Sequence, residues 1–280
     1  MTHTPVLLKE TIESLEIKSE GLYIDCTLGE GGHTQAILDK GGKVLAIDAD
    51  SMQIANNQLR IKNKEVKFVQ GNFKDIEQIA KDNIFFPVDG VLFDLGLSMI
   101  QLAESGKGLS YRKHDEALDM RLDENREYTA ADVVNDLPAE DLYDIFAKYA
   151  EELHSREIAN GIVQSRVQHK IHTVGDLIKV LDKVISRCPQ KHDHDNEKIY
   201  ARIFQALRII VNGEINNLKK GLEGAKNILK QDGRICVISF HSVEDRVIKL
   251  FVREKKLKSY KEYKGQRSFE RSARLRVFGL

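Results

Sequence analysis

Residues 22–34, Leu22-Tyr23-Ile24-Asp25-Cys26-Thr27-Leu28-Gly29-Glu30-Gly31-Gly32-His33-Thr34, limit the fold more than any other stretch. A short apolar run reads as a buried strand. Three glycines in four residues then read as a tight turn, and the apolar spacing that follows reads as a helix start. Glycine suits such a turn because it takes backbone angles that other residues resist. Without a side chain it also lets a ligand lie against the main chain, where the N–H groups of the next helix favour acceptor atoms or negative charge. A nucleotide-like ligand fits this pattern. A dinucleotide fits less well, since its Gly-x-Gly-x-x-Gly fingerprint needs a third glycine at position 34, which is Thr34. A bare Gly-x-Gly-Gly is also compatible with a surface turn that binds nothing.

The residues that follow favour the ligand. Lys43-Val44-Leu45-Ala46-Ile47-Asp48 reads as a second buried parallel strand ending in an acid. A carboxylate about 20 residues after a glycine turn can accept both ribose hydroxyls of an adenosine, and Asp48 is the candidate. A third strand at Val66-Lys67-Phe68-Val69 leads to Phe73, which is either an adenine-flanking wall or an ordinary core aromatic. A fourth, over residues 88–94, ends in Asp94. Strands and helices alternating in this way predict a doubly wound α/β sheet, whose ligands bind at the carboxyl ends of the strands. Gly29, Asp48, Phe73 and Asp94 all fall at those ends. An acid four residues before the first glycine, here Asp25, is similar to the first motif of S-adenosylmethionine (SAM) methyltransferases.

From about residue 101 the rhythm changes. Helical spacing near residues 129–149, 152–169, 173–187 and 198–211, with no strand pattern, predicts an inserted helical domain over 101–205. The sheet then resumes over 206–280, with a helix at 216–229, a fifth strand at 234–240 after Gln231-Asp232-Gly233, a helix at 247–255 and a closing strand at 273–278. Lys+Arg and Asp+Glu are both 43, so net charge names no partner, but residues 249–280 hold 11 Lys/Arg against 3 Asp/Glu. That asymmetry permits a basic face for nucleic acid or a solvated tail. Three widely spaced cysteines, Cys26, Cys188 and Cys236, argue against a disulfide framework and suit a reducing cytoplasm. No apolar run resembles a signal peptide or spans a membrane. His192-Asp193-His194-Asp195 reads as a solvated loop, and no metal is expected.

Asp94 stands where an acceptor would face a transferred methyl. An exocyclic amine is a poor nucleophile because its lone pair is delocalised into the ring, and an oxygen holding its N–H helps localise that pair and take the proton. Amino-directed methyltransferases often carry Asp/Asn-Pro-Pro-aromatic here. This chain has Asp94-Leu95-Gly96-Leu97, so base stacking must come from elsewhere, with Phe240 or Tyr111 as candidates. Phe240-His241-Ser242 follows the fifth strand, and His241 is either a contact to base or phosphate or a structural hydrogen-bonding group.

These motifs, with His3-Thr4-Pro5-Val6-Leu7-Leu8, Leu118-Asp119-Met120-Arg121, Phe204-Gln205-Ala206-Leu207-Arg208-Ile209, Ile238-Ser239-Phe240-His241-Ser242 and Glu244-Asp245-Arg246, resemble the RsmH (MraW) family of bacterial 16S rRNA cytosine-N4 methyltransferases over most of the chain. The resemblance implies a Rossmann-like class I SAM methyltransferase domain at 1–100 and 206–280, interrupted by an all-helical substrate-recognition domain at 101–205. It implies SAM contacts at Gly31, Gly32, His33, Asp48, Phe73, Asp94 and Gln101, with Asp94 catalytic. Arg121 and Arg202, from two family blocks, join His241 as candidate substrate contacts. The implied substrate is a cytosine in the decoding region of 16S rRNA, presented on the small ribosomal subunit in the cytoplasm; the sequence leaves the oligomeric state, a homodimer included, open. The chain departs from the family pattern at Ser98-Met99-Ile100-Gln101, where a proline is usual, at Glu116-Ala117 and at Lys198-Ile199-Tyr200-Ala201-Arg202. These departures keep open an RNA-binding assembly factor that holds SAM with little catalysis.

Overall fold

The computed structural model describes residues 5–96, 105–124, 126–187, 196–267 and 270–280. The chain forms two compact units, Met1–Gly96 with Ile215–Leu280, and Leu97–Glu214. The helical unit thus ends nine residues beyond 205, because the helix Asn196–Asn212 runs unbroken past that position and Gly213, at φ 61°, breaks the chain before the next helix.

The first unit is built around one sheet. Its elements are α1 (Leu8–Leu15), β1 (Leu22–Asp25), α2 (Gly32–Asp39), β2 (Lys43–Asp48), α3 (Ser51–Arg60), β3 (Val66–Gln70), α4 (Ile76–Asp82) and β4 (Val88–Asp94). The sheet order is β3-β2-β1-β4, then a fifth strand (Leu229–Ser239), a seventh (Arg274–Gly279) and a sixth (Lys258–Lys264). The first five strands pair in parallel, whereas the seventh is antiparallel to both of its neighbours. This is a doubly wound, Rossmann-like α/β sheet, as the alternation of strands and helices predicts.

The apolar runs explain why the sheet forms where it does. Ile24, Leu45, Ile47, Val91 and Phe93 are fully buried on one side; Tyr23, Val44, Ala46 and Leu92 are buried on the other. Each such aliphatic side chain contributes about 1.5–3 kcal/mol by leaving water. Both faces are covered, which is why these strands read as continuous apolar runs rather than alternating ones. The thiols of Cys26 and Cys236 lie buried in these cores.

Two features depart from the sequence reading. The fifth strand begins at Leu229, not Arg234. Val88 pairs with Leu229 and Gly90 with Arg234, so Gln231-Asp232-Gly233 is accommodated as a register shift within the strand instead of ending it. The edge strand Lys258–Lys264 is new. Lys-Ser-Tyr-Lys-Glu-Tyr-Lys has no apolar alternation, and its lysines at 258, 261 and 264 are exposed.

The second unit is helical. Its elements are α5 (Ala130–Asp136), α6 (Ala139–Ile145), which continues as one π-type turn (Phe146–Ala150), α7 (Ser155–Gln168), α8 (Val174–Ile185) and α9 (Asn196–Asn212). Among the described residues its sheet content is one isolated bridge, Ala117 to Thr173. Pro138 separates the helix expected at 129–149 into two, since it lacks an N–H to continue the ladder. Thr129 with Asp132, and Thr173 with Asp176, close capping boxes that fix two helix starts. The apolar faces of these helices close around Leu142, Phe146, Ile158, Ile162, Leu177, Leu181, Ile203 and Leu207. A further helix, α10 (Glu214–Ile228), leads back into the sheet, which we complete as β5, α11 (Ser242–Glu254), β6 and β7 in chain order. No helix among the described residues is long and apolar enough to cross a membrane.

Candidate active site

The carboxyl ends of β1, β2 and β4 gather three aspartates around the glycine turn. Asp25 ends β1 and is 1% exposed. Its Oδ2 accepts from the Thr34 hydroxyl at 2.7 Å and its Oδ1 from the Thr27 N–H at 3.2 Å, so it ties the turn to the first residues of α2. Burial pushes its carboxyl up to about 6. Thr34, which excludes the dinucleotide fingerprint, therefore has a positive role as the partner of Asp25.

Asp48 ends β2. Its Oδ2 accepts the Gly29 N–H at 2.8 Å and its Oδ1 the Asp50 N–H at 2.9 Å. Burial raises its carboxyl above the usual range, although these N–H groups oppose the shift. A carboxylate offers about four lone-pair positions, so each oxygen of Asp48 keeps acceptor capacity for a hydroxyl. That is the acceptor set an adenosine ribose requires.

The glycines divide their work. Gly29 (φ 49°) and Gly31 (φ 72°) both lie in the left-handed region that favours glycine. A Cβ on Gly31 would lie 2.3 Å from Asn57 Oδ1, and one on Gly32 would lie 2.2 Å from Pro5 Cγ. A Cβ on Gly29 would meet nothing closer than the Thr27 carbonyl, at 3.9 Å. Gly31 and Gly32 thus make room for the protein's own side chains, and Gly29 presents the open side of the turn. Asn57, a buried residue of α3, donates from Nδ2 to the Gly29 carbonyl at 2.8 Å and holds the turn from behind.

Asp94 ends β4, and its side chain is 21% exposed. Its N–H donates to the Thr27 hydroxyl at 2.7 Å, and its Oδ1 accepts the Gly96 N–H at 3.5 Å. Burial pushes its carboxyl up to about 7, with Asp25 and Glu244 adding to the rise. His33 Nδ1, in the first turn of α2, lies 3.8 Å from Asp94 Oδ2. The open turn at Gly29, the acceptor at Asp48 and a carboxyl of neutral-range acidity at Asp94 together fit an adenosine-bearing cofactor. Gln101 and the departures at Met99 and Ile100 lie outside the described residues, as do His3, Cys188 and residues 192–195.

The other expected site residues have partners inside their own units. Phe73, after β3, meets Phe93 edge-on at 5.6 Å, and a Cβ on Gly221 would lie 2.9 Å from its ring, so the ring belongs to the packing beneath the rim. His241 is the N-cap of α11. Its Nδ1 accepts the Glu244 N–H at 3.3 Å, while Glu244 Oε2 accepts the N–H groups of Phe240 at 2.8 Å and His241 at 3.4 Å. Arg121 is engaged within its loop, donating to both oxygens of Asp119 at 2.8 and 2.9 Å and to the Arg126 carbonyl at 2.9 Å. Arg202 pairs with the buried Glu152. Tyr111 lies within the helical unit against Tyr200 and Phe204, its hydroxyl 3.0 Å from Glu197 Oε2.

Phe240 is different. A Cβ on Gly96 would come within 2.7 Å of its ring, so the ring lies over the backbone two residues beyond Asp94. The strands that deliver them are neighbours, with Asp94 paired to Ile238 and the Leu95 N–H donating to the Ile238 carbonyl at 3.0 Å. The sequence reading gives Asn57 no part, and it names Pro5 and Glu244 only within family blocks, without a role in the site. Of these only Glu244 left a local signal, three residues after His241, because capping boxes are usually sought behind Ser or Thr.

The model of the MraW methylase family matches residues 1–277. A protein of Clostridium botulinum (strain Loch Maree / Type A3) named Ribosomal RNA small subunit methyltransferase H is 43% identical over 256 residues, 90% of this chain and 81% of that one. One of Fervidobacterium nodosum with the same name is 41% identical over 290 residues, 98% of this chain and 96% of that one. Among solved structures, an rRNA methylase from Streptococcus thermophilus aligns over 100% of this chain and 98% of its own, with a TM-score of 0.45 at 10% identity.

Proposed function

The chain belongs to the MraW methylase family, and from that premise we propose that it methylates the exocyclic N4 amine of one cytosine in the decoding region of 16S rRNA, on the small ribosomal subunit in the cytoplasm. SAM supplies an activated methyl on a sulfonium when bound. Asp48 holds the ribose, and the open face of the turn at Gly29, shaped by Gly31, Gly32 and the neighbouring His33, takes the methionine end. The observation that supports this reading best is Asp94, an acceptor whose basicity burial raises, at the β4 end of the same rim. As a carboxylate it accepts an N–H of the cytosine amine, drawing the nitrogen lone pair out of the ring, and takes the proton released when nitrogen is methylated. Gln101 completes the cofactor's surroundings in this reading, and Phe73 supports them from the packing beneath the rim. The helical unit recognises the RNA, with Arg121 and Arg202 shaping its surface. The exposed lysines of β6 suit an RNA backbone, and they also deter pairing at an open sheet edge.

The test is methyl transfer from labelled SAM to small subunits that lack the modification, followed by nucleoside mass spectrometry. N4-methylcytidine at one position is expected. SAM binding without transfer to subunits or naked rRNA would turn the reading toward an assembly factor.

Phe240 takes the place of the missing motif aromatic as the wall against which the base stacks. Base–aromatic stacking is worth about 1–3 kcal/mol. Phe240→Leu should therefore raise KM for the subunit about tenfold with SAM affinity unchanged, and Phe240→Tyr should stay near wild type. Equal KM values for Leu and Phe would return this residue to packing.

A further inference from the structure

Pro5, Leu7 and Glu270 connect both ends of the chain to the glycine turn. The Pro5 ring occupies the space where a Gly32 side chain would be. Two residues on, Leu7 is buried and left-handed, at φ 50° and ψ 34°, as the N-cap of α1 with no side-chain cap of its own. A leucine held in that region stores strain and persists only where its surroundings over-determine it. Here the Leu7 N–H donates to Glu270 Oε1 at 3.0 Å, across 263 residues of chain. Glu270 is 4% exposed, and a buried carboxylate is costly unless hydrogen-bonded. Its seat is built for it. Glu270 Oε2 accepts the Arg267 N–H at 3.4 Å, its N–H donates to the Arg267 carbonyl at 2.9 Å, and its carbonyl accepts the Ala273 N–H at 2.7 Å. Leu7 and Ala273 also share one core cluster with Leu28 of the turn and Ile37 of α2.

We propose that Glu270 is a positioning residue for the cofactor site: by holding Leu7 it seats Pro5 against Gly32 and so fixes the path of the turn whose open side receives the methionine end of SAM. The inference rests on the SAM reading above. With the Leu7 N–H released, the segment before α1 lifts, Gly32 loses its lateral support, and the turn must be ordered by the ligand. Affinity for SAM then falls. The chemical step at saturating SAM changes little, because the Asp94 backbone is held by β4 and the Thr27 hydroxyl and not by a hydrogen bond to Leu7 or Glu270.

The experiment compares full-length wild type with Glu270→Ala, Glu270→Gln and Pro5→Ala, using calorimetric SAM affinity, turnover at saturating SAM, and hydrogen exchange of residues 28–38 without ligand. Glu270→Ala should weaken SAM about tenfold, the size of the charge-assisted hydrogen bond it removes, and Pro5→Ala, which takes the ring from Gly32, should weaken it in the same direction, with turnover within about threefold in both. Exchange at 28–38 should accelerate in both. Glu270→Gln keeps an acceptor oxygen for the Leu7 N–H and should restore affinity to within about threefold. Wild-type affinity and exchange in Glu270→Ala would overturn the proposal. So would weakened affinity with exchange at 28–38 unchanged, and so would exchange that accelerates no more there than across the rest of the sheet, which marks a general loss of stability. If Glu270→Ala does not fold, Pro5→Ala decides by the same two readings. If wild type itself does not bind SAM, the functional reading fails, and exchange at 28–38 still decides the connection.

Discussion

Replacing Asp94 with asparagine is expected to lower methyl transfer to small subunits about 10³-fold, the range for removing a positioned proton acceptor, with the fold retained. Asparagine keeps an Oδ1 for the Gly96 N–H, and the Asp94 backbone bond to Thr27 does not depend on the side chain. The carboxylate alone can take the amine proton. The acidity of Asp94 gives a second signature. Burial holds its carboxyl at about 7, with Asp25 (about 6) and Glu244 pushing the same way and His33 facing it at 3.8 Å. Below about pH 7 the carboxyl is protonated and donates where it should accept. Wild-type kcat/KM should then rise with pH and level off above 7, and the residual activity of Asp94→Asn should lack that acid limb.

Stability should move in the opposite sense to activity. A carboxyl whose folded value lies above its ordinary 3.8 favours the fold most when protonated. That contribution is fully present below about pH 4 and is lost as pH rises through 7. Asp94→Asn removes the penalty of holding a charge there, so its melting temperature relative to wild type should be higher at pH 8 than at pH 4. Wild-type turnover in this variant, or an acid limb that survives in it, would take Asp94 out of the mechanism.

What the sequence made legible follows from how each feature is encoded. The strands β1, β2 and β4 are buried on both faces, so each is a continuous apolar run bounded by an acid or a glycine, and both run and boundary can be read locally. Gly29, Asp48 and Asp94 follow from those boundaries. β6 was missed because an open edge is protected by lysines, and Lys258, Lys261 and Lys264 erase the alternation that would mark a strand. The early start of β5 was missed because Asp232-Gly233 is a turn signal that the register shift absorbs. His241, Arg121 and Arg202 carry the chemistry of RNA contacts, yet each is engaged by an acid of its own unit. Two of those acids, Asp119 and Glu244, lie within three residues. Glu152 is 50 positions away in sequence and leaves no local trace. The same limit hid Glu270, whose partner is at the other end of the chain.

Gly31 offers the test of the cofactor half of the site, because its replacement has consequences that can be followed atom by atom. Alanine there meets two obstacles. The backbone sits at φ 72°, which costs a residue with a Cβ about 1 kcal/mol or more. The added methyl would also lie 2.3 Å from Asn57 Oδ1 and 3.1 Å from Ile61 Cδ1. Asn57 is buried, and its amide bridges the Gly29 carbonyl and the Gln53 carbonyl, each at 2.8 Å, so it cannot retreat without releasing the turn. Once Gly29 is released, its N–H leaves Asp48, and two subsites of the cofactor lose their geometry together. Gly31→Ala should therefore weaken SAM about 100-fold by calorimetry, equivalent to about 2.7 kcal/mol. Gly29→Ala carries the backbone cost without the collision, since its Cβ has open space. It should leave Asn57 in place and weaken SAM only by filling the open side of the turn. Adding Asn57→Ala to each variant separates the two routes. It should relieve the steric part of the Gly31→Ala destabilisation, read as a partial recovery of melting temperature, and give no such recovery with Gly29→Ala. If Gly31→Ala binds SAM as wild type does, the turn is not the methionine subsite, and the resemblance that placed Gly31 there does not hold for this chain.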